Sequence, residues 1–271
     1  MTKKIKSLLS IAGSDPMGGA GIQADIRAGN AMGFHVVTGV TAITVQNSKG
    51  IFNVTPIETH ILKAQLDKIL EDCHPDAIKI GMIGNVSNFI EVGNFLSNVH
   101  AEIPVVIDPV LSVSADGGPL FTGSSRGEIA ILYKKYIFPH STVATPNNSE
   151  LKALLNKKRI NFEDYKEILK ACDINNLIVK GGDQLNKVIN DNLITYQGVT
   201  TFSHPKVKCK NLHGTGCTYS TLLACYLALG NNMYEAYMST NKKMMEIINN
   251  SCQYNLGTSN NGPLNINKYN I

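Results

Sequence analysis

The stretch Ser7-Leu-Leu-Ser-Ile-Ala-Gly-Ser-Asp-Pro-Met-Gly-Gly-Ala-Gly21 decides the fold class. Its apolar start, Ser7 to Ala12, predicts a β-strand, and the glycine-rich turn after it is followed by a helical pattern from Gly21 to Met32. A strand, a tight turn and a helix in that order are typical of a βαβ unit. The opening therefore predicts an α/β protein.

Further apolar runs of strand length alternate with helical patterns along the rest of the chain. The predicted strands are Val36–Val45, Ala77–Ile80, Val105–Asp108, Ser141–Thr145 and Leu177–Lys180. Short apolar strands separated by helices favour a mainly parallel sheet that is covered on both faces. Two later β-rich runs, Ile194–Tyr196 and Thr200–Phe202, flank Gln197-Gly198 and predict an antiparallel hairpin at an edge.

One helix start carries a local signal. In Thr55-Pro56-Ile57-Glu58, Thr55 is suited to cap a helix, Pro56 to occupy its first position and Glu58 to close a capping box. The helix predicted after it has one apolar face, formed by Leu62, Leu66, Ile69 and Leu70.

Composition limits the classes of protein. The 271 residues are 43% hydrophobic and 17% charged, which is typical of a globular chain, and we expect residues 1–271 to form one domain. The net charge of +4 is scattered, which argues against a nucleic-acid partner. Polar residues interrupt the uncharged stretch 211–234, so we expect no membrane span. Six cysteines without a C-x-x-C pair favour reduced thiols and a cytoplasmic location, and no histidine spacing indicates zinc.

Polar and glycine-rich segments follow the predicted strands. In an open α/β sheet, ligands bind beyond the carboxyl ends of the strands, so these segments are the candidate site. They are Gly13-Ser14-Asp15, Gln46-Asn47, Gly81-Met82, Asp108-Pro109, Pro146-Asn147, Gly181-Gly182-Asp183 and His213-Gly214-Thr215-Gly216-Cys217.

The segment Gly214-Thr215-Gly216-Cys217 has the most specific chemistry, because it precedes an apolar helical run, Tyr219 to Leu229. A helix N-terminus with small residues binds anions such as phosphate, and its field should lower the pKa of the Cys217 thiol. A thiolate there could take a proton from a substrate hydroxyl. The alternative is that Cys217 is a small buried residue and the glycines only turn the chain. A Cys–His pair with His213 suits the intervening glycines less well than an anion hole.

Other segments admit two interpretations each. The loop Gly13–Gly21 matches neither a P-loop nor a dinucleotide fingerprint, so it is either a tight turn or a substrate loop, with Asp25 as a polar contact. Asp108 and Glu150 are hard oxygen ligands of the type that Mg²⁺ prefers, although Glu150 also suits the first turn of a helix. Lys180 is either a phosphate contact or a solvated charge.

These segments together resemble the bacterial hydroxymethylpyrimidine/phosphomethylpyrimidine kinases of thiamine biosynthesis. The resemblance runs from about Leu8 to Leu264. It is carried by residues 12–25, Thr41–Asn47, Lys79–Met82, Asp108–Val110, Thr145–Asn147 with Glu150, Lys180–Gly182 and His213–Thr218. It implies a ribokinase-like three-layer α/β/α sandwich, with a mostly parallel central sheet and an antiparallel edge hairpin. It also implies ATP and Mg²⁺ as cofactors and suggests a homodimer.

The resemblance also assigns roles to residues. Gln46 is similar to the residue that hydrogen-bonds the aminopyrimidine, and Asp25 and Met82 would help to line that pocket. Cys217 resembles the catalytic base. The remaining assignments are Gly214 and Gly216 for the anion hole, Asn147, Lys180 and Thr215 for the nucleotide, and Asp108 and Glu150 for Mg²⁺.

Three alternatives remain open at this point. A pyridoxal kinase shares the fold and a similar Gly-Thr-Gly-Cys motif, but such kinases generally lack the Gln46-Asn47 pair. A non-catalytic pyrimidine- or nucleotide-binding sensor would have no need for Cys217 together with Asp108, Glu150 and Lys180. A dinucleotide oxidoreductase would require a glycine fingerprint that the first loop does not have.

Overall fold

The computed structural model describes residues 5–111, 125–183, 186–254 and 261–266. The first unit is as predicted: strand β1 (Ser7–Ser14) is followed by helix α1 (Gly21–Ala31). Gly21 has a φ of +56°, and a side chain there would collide with the carbonyl oxygen of Gly13. Glycine is therefore required at the point where the chain turns from strand into helix.

The described residues form a nine-stranded sheet in the order β3-β2-β1-β4-β5-β6-β7-β8-β9. After β1, the strands are β2 (His35–Asn47), β3 (Gly50–Pro56), β4 (Ala77–Ile80), β5 (Val105–Ile107), β6 (Val143–Ala144), β7 (Asn176–Val179), β8 (Val188–Thr195) and β9 (Gly198–Pro205). Neighbouring strands from β2 across to β7 pair in parallel. The mainly parallel sheet and the antiparallel β8–β9 hairpin, in which Thr195 pairs with Gly198, are confirmed.

Helices cover both faces of the sheet. They are α2 (Thr59–Asp72), α3 (Val86–Ser97), α4 (Arg126–Leu132), α5 (Asn148–Leu155), α6 (Tyr165–Cys172), α7 (Thr215–Ala228) and α8 (Met233–Ser251). One apolar core contains Leu62 of α2, as predicted, and Phe89 of α3. The other contains Leu222 of α7 and Tyr237 of α8. Two cores on opposite sides of one sheet confirm the three-layer sandwich. None of the helices in the described ranges is long and apolar enough to cross a membrane.

The predicted helix start at Thr55 is wrong. Thr55 and Pro56 lie in β3, which pairs antiparallel with β2 at the edge of the sheet. Helix α2 begins at Thr59, and Glu58 before it makes no side-chain capping bond. Proline is tolerated at this place because an edge strand does not need every N–H group. Long-range strand pairing therefore overrides the local capping pattern.

A buried ion pair joins the sheet to one helical layer. Lys79 of β4 and Asp25 of α1 are both fully buried, with 2.8 Å between Nζ and Oδ2. Ser10 of β1 and Thr221 of α7 donate hydroxyl hydrogen bonds to the same carboxylate, at 2.6 and 2.8 Å. Burial is the largest single effect and opposes the charge on Lys79, but the negative charges of Asp25 and other nearby groups, with the hydrogen bond to Asp25, together outweigh it and raise the pKa of the lysine. The Asp25 carboxylate thus connects its own helix, α1, to strands β1 and β4 and to helix α7.

We expect Lys79→Met to lower the free energy of unfolding by about 3–5 kcal/mol, because it leaves a buried carboxylate without its counter-ion. Lys63→Met is the matched control, since Lys63 and its partner Asp67 are exposed at the surface of α2. The control should leave the free energy nearly unchanged. Urea denaturation followed by circular dichroism measures both variants, and equal losses in the two would contradict the assignment.

Candidate active site

A cavity of about 470 Å³ opens at the carboxyl ends of the parallel strands. The loops after these strands meet there because parallel strands end at the same edge. Every site residue predicted from the sequence except Asp25 lines the cavity. These residues are Gln46, Met82, Asp108, Asn147, Glu150, Lys180, Gly214, Thr215, Gly216 and Cys217.

Asp25 is not among the residues that line the cavity. It is 0% exposed, and its carboxylate accepts hydrogen bonds from Lys79, Ser10 and Thr221. The expectation that Asp25 lines the substrate pocket is therefore corrected: it lies below the cavity as part of the framework.

The N-terminus of α7 forms one wall of the cavity. Gly214 precedes the helix with a φ of +84°, and Thr215 begins it. The first N–H groups of a helix have no acceptor within the helix and create a positive field, so this wall suits an anion. A Cβ atom on Gly216 would lie 3.2 Å from both Asp108 Oδ2 and Lys180 Nζ. The absence of a side chain at Gly216 lets the helix approach these two charged groups.

The Cys217 thiol is in the first turn of α7 and lines the cavity. Burial raises its pKa to about 11, and the positive charge of Lys79 only partly opposes this, because Asp25 and Asp108 add negative charge. The prediction that the helix lowers the pKa of Cys217 is therefore wrong, because burial and the two carboxylates outweigh the field of the helix. The thiol carries its proton near neutral pH.

Charged groups lie beside this N-terminal end of α7. Lys180 Nζ lies 2.9 Å from Asp108 Oδ1, and the lysine side chain is only 14% exposed, so it is not a solvated surface charge. Glu150 and Asn147 cap helix α5 reciprocally, each accepting the other's backbone N–H at 2.8 Å. Burial raises the pKa of Glu150 to about 7; Lys180 opposes this and Asp108 adds to it. Glu150 is therefore the first-turn helix residue that one interpretation predicted, and its side chain also lines the cavity.

Two polar residues of the predicted segments that had no assigned role lie at Gln46. The His213 Nε2 atom is 2.9 Å from one end of the Gln46 side-chain amide and 2.8 Å from Asp15 Oδ2. Asp15 is 2% exposed and accepts backbone N–H groups from Met17, Gly19 and Ala20. His213 therefore contacts Gln46 and Asp15 rather than serving Cys217 as a base. The signal in the sequence was the position of Asp15 and His213 in segments that follow the strands.

The cavity also has lining residues that the sequence did not predict. The β8–β9 hairpin and the segment after it contribute Ile189, His204, Lys206 and Val207, and helix α8 contributes Met245 and Ile248. An edge hairpin and a C-terminal helix have no local motif that indicates a site. Strand β8 runs past the end of β7, because Val179 pairs with Asn192, and this extension carries Ile189 to the cavity.

Comparison with known proteins places this site in a family. A family model described as phosphomethylpyrimidine kinase matches residues 15–265. The chain belongs to this family. A hydroxymethylpyrimidine/phosphomethylpyrimidine kinase from Bacillus subtilis is 32% identical over 265 residues, which cover 96% of this chain and 94% of the relative.

Solved structures show the same architecture. A phosphomethylpyrimidine kinase from Clostridium difficile is 31% identical and has a TM-score of 0.74, over 90% of this chain and 99% of that one. A pyridoxal kinase from Staphylococcus aureus, solved with AMP-PCP and pyridoxal, is 28% identical with a TM-score of 0.82, over 98% and 96%. The fold is therefore common to kinases with different ring substrates, and the choice of ring must lie in side chains of the cavity.

We expect Cys217 to react slowly with iodoacetamide at pH 7.5 and progressively faster up to pH 10, because only the thiolate reacts and its pKa is raised to about 11. Mass spectrometry of the peptide that contains Cys217 measures the rate at each pH. Cys217→Ser identifies the signal. A reaction that is complete by pH 8 would contradict the raised pKa.

Proposed function

We propose that this protein transfers the γ-phosphoryl group of ATP to the hydroxyl of 4-amino-5-hydroxymethyl-2-methylpyrimidine and then phosphorylates the monophosphate to the diphosphate, in thiamine biosynthesis. The observation that carries the proposal is that one cavity is lined by Gln46 and Met82, by the N-terminus of α7 with Cys217, and by the Lys180–Asp108 ion pair next to Gly216. One cavity therefore offers groups for a ring, for an anion and for a charged nucleotide.

Gln46 and Met82 are the proposed ring contacts. A primary amide has one donor group and one acceptor group, which match the amino group and the adjacent ring nitrogen of the pyrimidine. Met82 offers apolar surface to the ring face. A ring held in this way would direct its hydroxymethyl group toward Cys217.

The helix N-terminus and the thiol are the proposed catalytic groups. N–H groups after Gly214 and around Gly216 would stabilise the charge that spreads over the transferring phosphoryl oxygens. Cys217 would accept the hydroxyl proton in the first step. In the second step the acceptor is a phosphate that is already ionised, so it has less need of a base. The raised pKa means that the first step should speed up as pH rises, as more of the thiol loses its proton.

Asp108 and Glu150 would hold Mg²⁺, and Lys180, Asn147 and Thr215 would contact the nucleotide. No cluster of three or more metal-binding side chains occurs in the part of the chain that the structure describes. Mg²⁺ is commonly held by one or two carboxylates together with substrate phosphates, so the two carboxylates fit it. Burial and the negative charge of Asp108 raise the pKa of Glu150, so a cation at this place would stabilise its ionised form. When bound, the ion would neutralise charge on the phosphates.

We also propose one kinase domain over residues 1–271 and a cytoplasmic location. A single sheet joins strands from β1 to β9 in the described residues, which supports one domain. The six cysteines are all free thiols, and ATP and reduced thiols are both features of the cytoplasm.

A homodimer is the proposed assembly, with the β2–β3 ribbon as its interface. Ile43 and Val45 of β2 are 53% and 57% exposed, and Phe52 of β3 is 67% exposed. Residues two apart on a strand face the same side, so Ile43 and Val45 form one apolar strip at the edge of the sheet. A second copy of this ribbon would cover the strip.

Parallel assays with hydroxymethylpyrimidine and pyridoxal test the proposed function. Chromatography should resolve a pyrimidine monophosphate and a diphosphate, formed only with ATP. Phosphorylation of pyridoxal alone would assign the protein to vitamin B6 salvage instead. No product from either ring would favour a binding protein.

We expect Cys217→Ala to slow the first phosphorylation by about 10²- to 10⁴-fold, the usual contribution of a general base, and the second step much less. Rates are measured separately with the alcohol and with the monophosphate as the starting substrate. An equal loss in both steps would contradict the proposed role.

We expect Val45→Asp to convert the dimer into monomers, because a charge at the centre of an apolar interface cannot be solvated. Light scattering coupled to size-exclusion chromatography measures the mass. Ile131→Asp is the matched control, since Ile131 is 63% exposed on α4 and away from the ribbon. A wild type that is already monomeric, or a variant that stays dimeric, would refute this interface.

A further inference from the structure

The orientation of the Gln46 side-chain amide depends on two neighbours. His213 Nε2 lies 2.9 Å from one end of the amide, and Thr44 Oγ1 lies 3.3 Å from the other. The two ends of an amide have nearly the same shape but opposite hydrogen-bonding roles. Which end faces His213 therefore decides what Gln46 offers to a ligand.

Asp15 determines the state of the His213 Nε2 atom. Burial opposes the charge on Asp15, but hydrogen bonds from His213 and from the backbone of Ala20 and Met17 outweigh it and lower its pKa. The carboxylate is therefore ionised and can only accept hydrogen bonds. At 2.8 Å from Asp15 Oδ2, Nε2 must carry the hydrogen and donate it.

A ring nitrogen that carries a hydrogen has no lone pair to accept one. The end of the Gln46 amide next to His213 must therefore be its carbonyl oxygen, which shares the Nε2–H group with Asp15. This leaves the amide nitrogen facing Thr44. The Thr44 hydroxyl already donates its hydrogen to the carbonyl oxygen of Ser14, at 2.9 Å, so it is free to accept from Gln46.

The hydrogen bonds form a chain from Asp15 through His213, Gln46 and Thr44 to the carbonyl of Ser14. With this orientation of Gln46, every donor in the chain meets an acceptor. With the opposite orientation two donors would face each other at His213, and the Thr44 hydroxyl would have to donate twice. The cost of such mismatches inside a protein selects the first orientation.

The backbone around His213 holds the ring in place. Its N–H donates to the carbonyl of Gly262 at 3.0 Å, and it forms a parallel bridge with Pro263. The imidazole packs on Gly19, where any Cβ atom would strike the ring. The His213 side chain is 14% exposed and that of Asp15 is 3% exposed. The pair is therefore a rigid support.

We propose that the Asp15–His213 pair is a positioning device that fixes the Gln46 amide and thereby selects an aminopyrimidine edge. The fixed amide retains one N–H group and one oxygen lone pair for a ring nitrogen and the amino group beside it. Pyridoxal has no amino group next to its ring nitrogen and cannot use both. This specificity rests on the proposed function; the orientation of Gln46 does not.

The kinetic test compares His213→Leu with His213→Gln. The leucine variant should raise KM for hydroxymethylpyrimidine by about 10- to 100-fold, the effect of one or two lost hydrogen bonds, with kcat and KM for ATP changed less than threefold. The glutamine side chain places an amide N–H near the position of Nε2 and should restore most of the loss. A merely structural role would change kcat and both KM values together, and glutamine would not rescue it.

His60→Leu is the matched control. His60 also pairs with a carboxylate, Glu58 at 3.3 Å, but the pair is exposed at the surface and His60 does not line the cavity. Its loss should leave KM for the pyrimidine unchanged. A rise in that KM equal to the rise in His213→Leu would overturn the assignment.

A spectroscopic measurement separates this inference from the proposed function. ¹⁵N NMR of histidine-labelled protein should show a hydrogen on Nε2 of His213, identified by its absence in His213→Gln. A bare Nε2 would overturn the orientation of Gln46 whatever the substrate is. If Nε2 carries the hydrogen but the wild type phosphorylates no pyrimidine, the proposed function fails, and with it the selection of an aminopyrimidine edge.

Discussion

The buried carboxylate of Asp25 is the point on which the rest of the structure depends. It accepts hydrogen bonds from Lys79, Ser10 and Thr221, so it joins two central strands to the two helices that follow the glycine-rich segments. A buried charge is tolerated only when it is paired and hydrogen-bonded, and here both conditions are met. The pair also holds helix α7 against the sheet, with its N-terminus at the cavity.

The charges of the cavity are organised around that helix. Lys180 and Asp108 form a second ion pair, and the missing side chain at Gly216 lets α7 approach it. Burial and nearby carboxylates raise the pKa values of both Cys217 and Glu150. Around Glu150 the site has too little positive charge, and at Cys217 it holds a protonated thiol. Both features suit a ligand that consists of an anion bound together with a cation.

The comparison structures separate fold from specificity. Pyridoxal kinase and phosphomethylpyrimidine kinase structures both superpose well on this chain, with TM-scores of 0.82 and 0.74. The scaffold can therefore serve more than one ring. In this chain the difference would lie in a few side chains, with Gln46 as the contact and His213 and Asp15 as its support.

The sequence by itself determined the α/β class, the strands of the parallel sheet, the edge hairpin and the cavity residues in the segments after the strands, because each of these has a local pattern or follows directly after a strand. Tertiary structure decided the rest, including the cavity residues from the β8–β9 hairpin, the segment after it and α8. Strand β3 was missed because Thr55-Pro56 resembles a helix start and only pairing with β2 makes it a strand. Asp25 was expected in the pocket from the family resemblance, and no local pattern could indicate its pairing with Lys79, which is 54 residues away in the chain. The pKa of Cys217 was predicted from the helix field alone, whereas burial and carboxylates from distant segments reverse its direction.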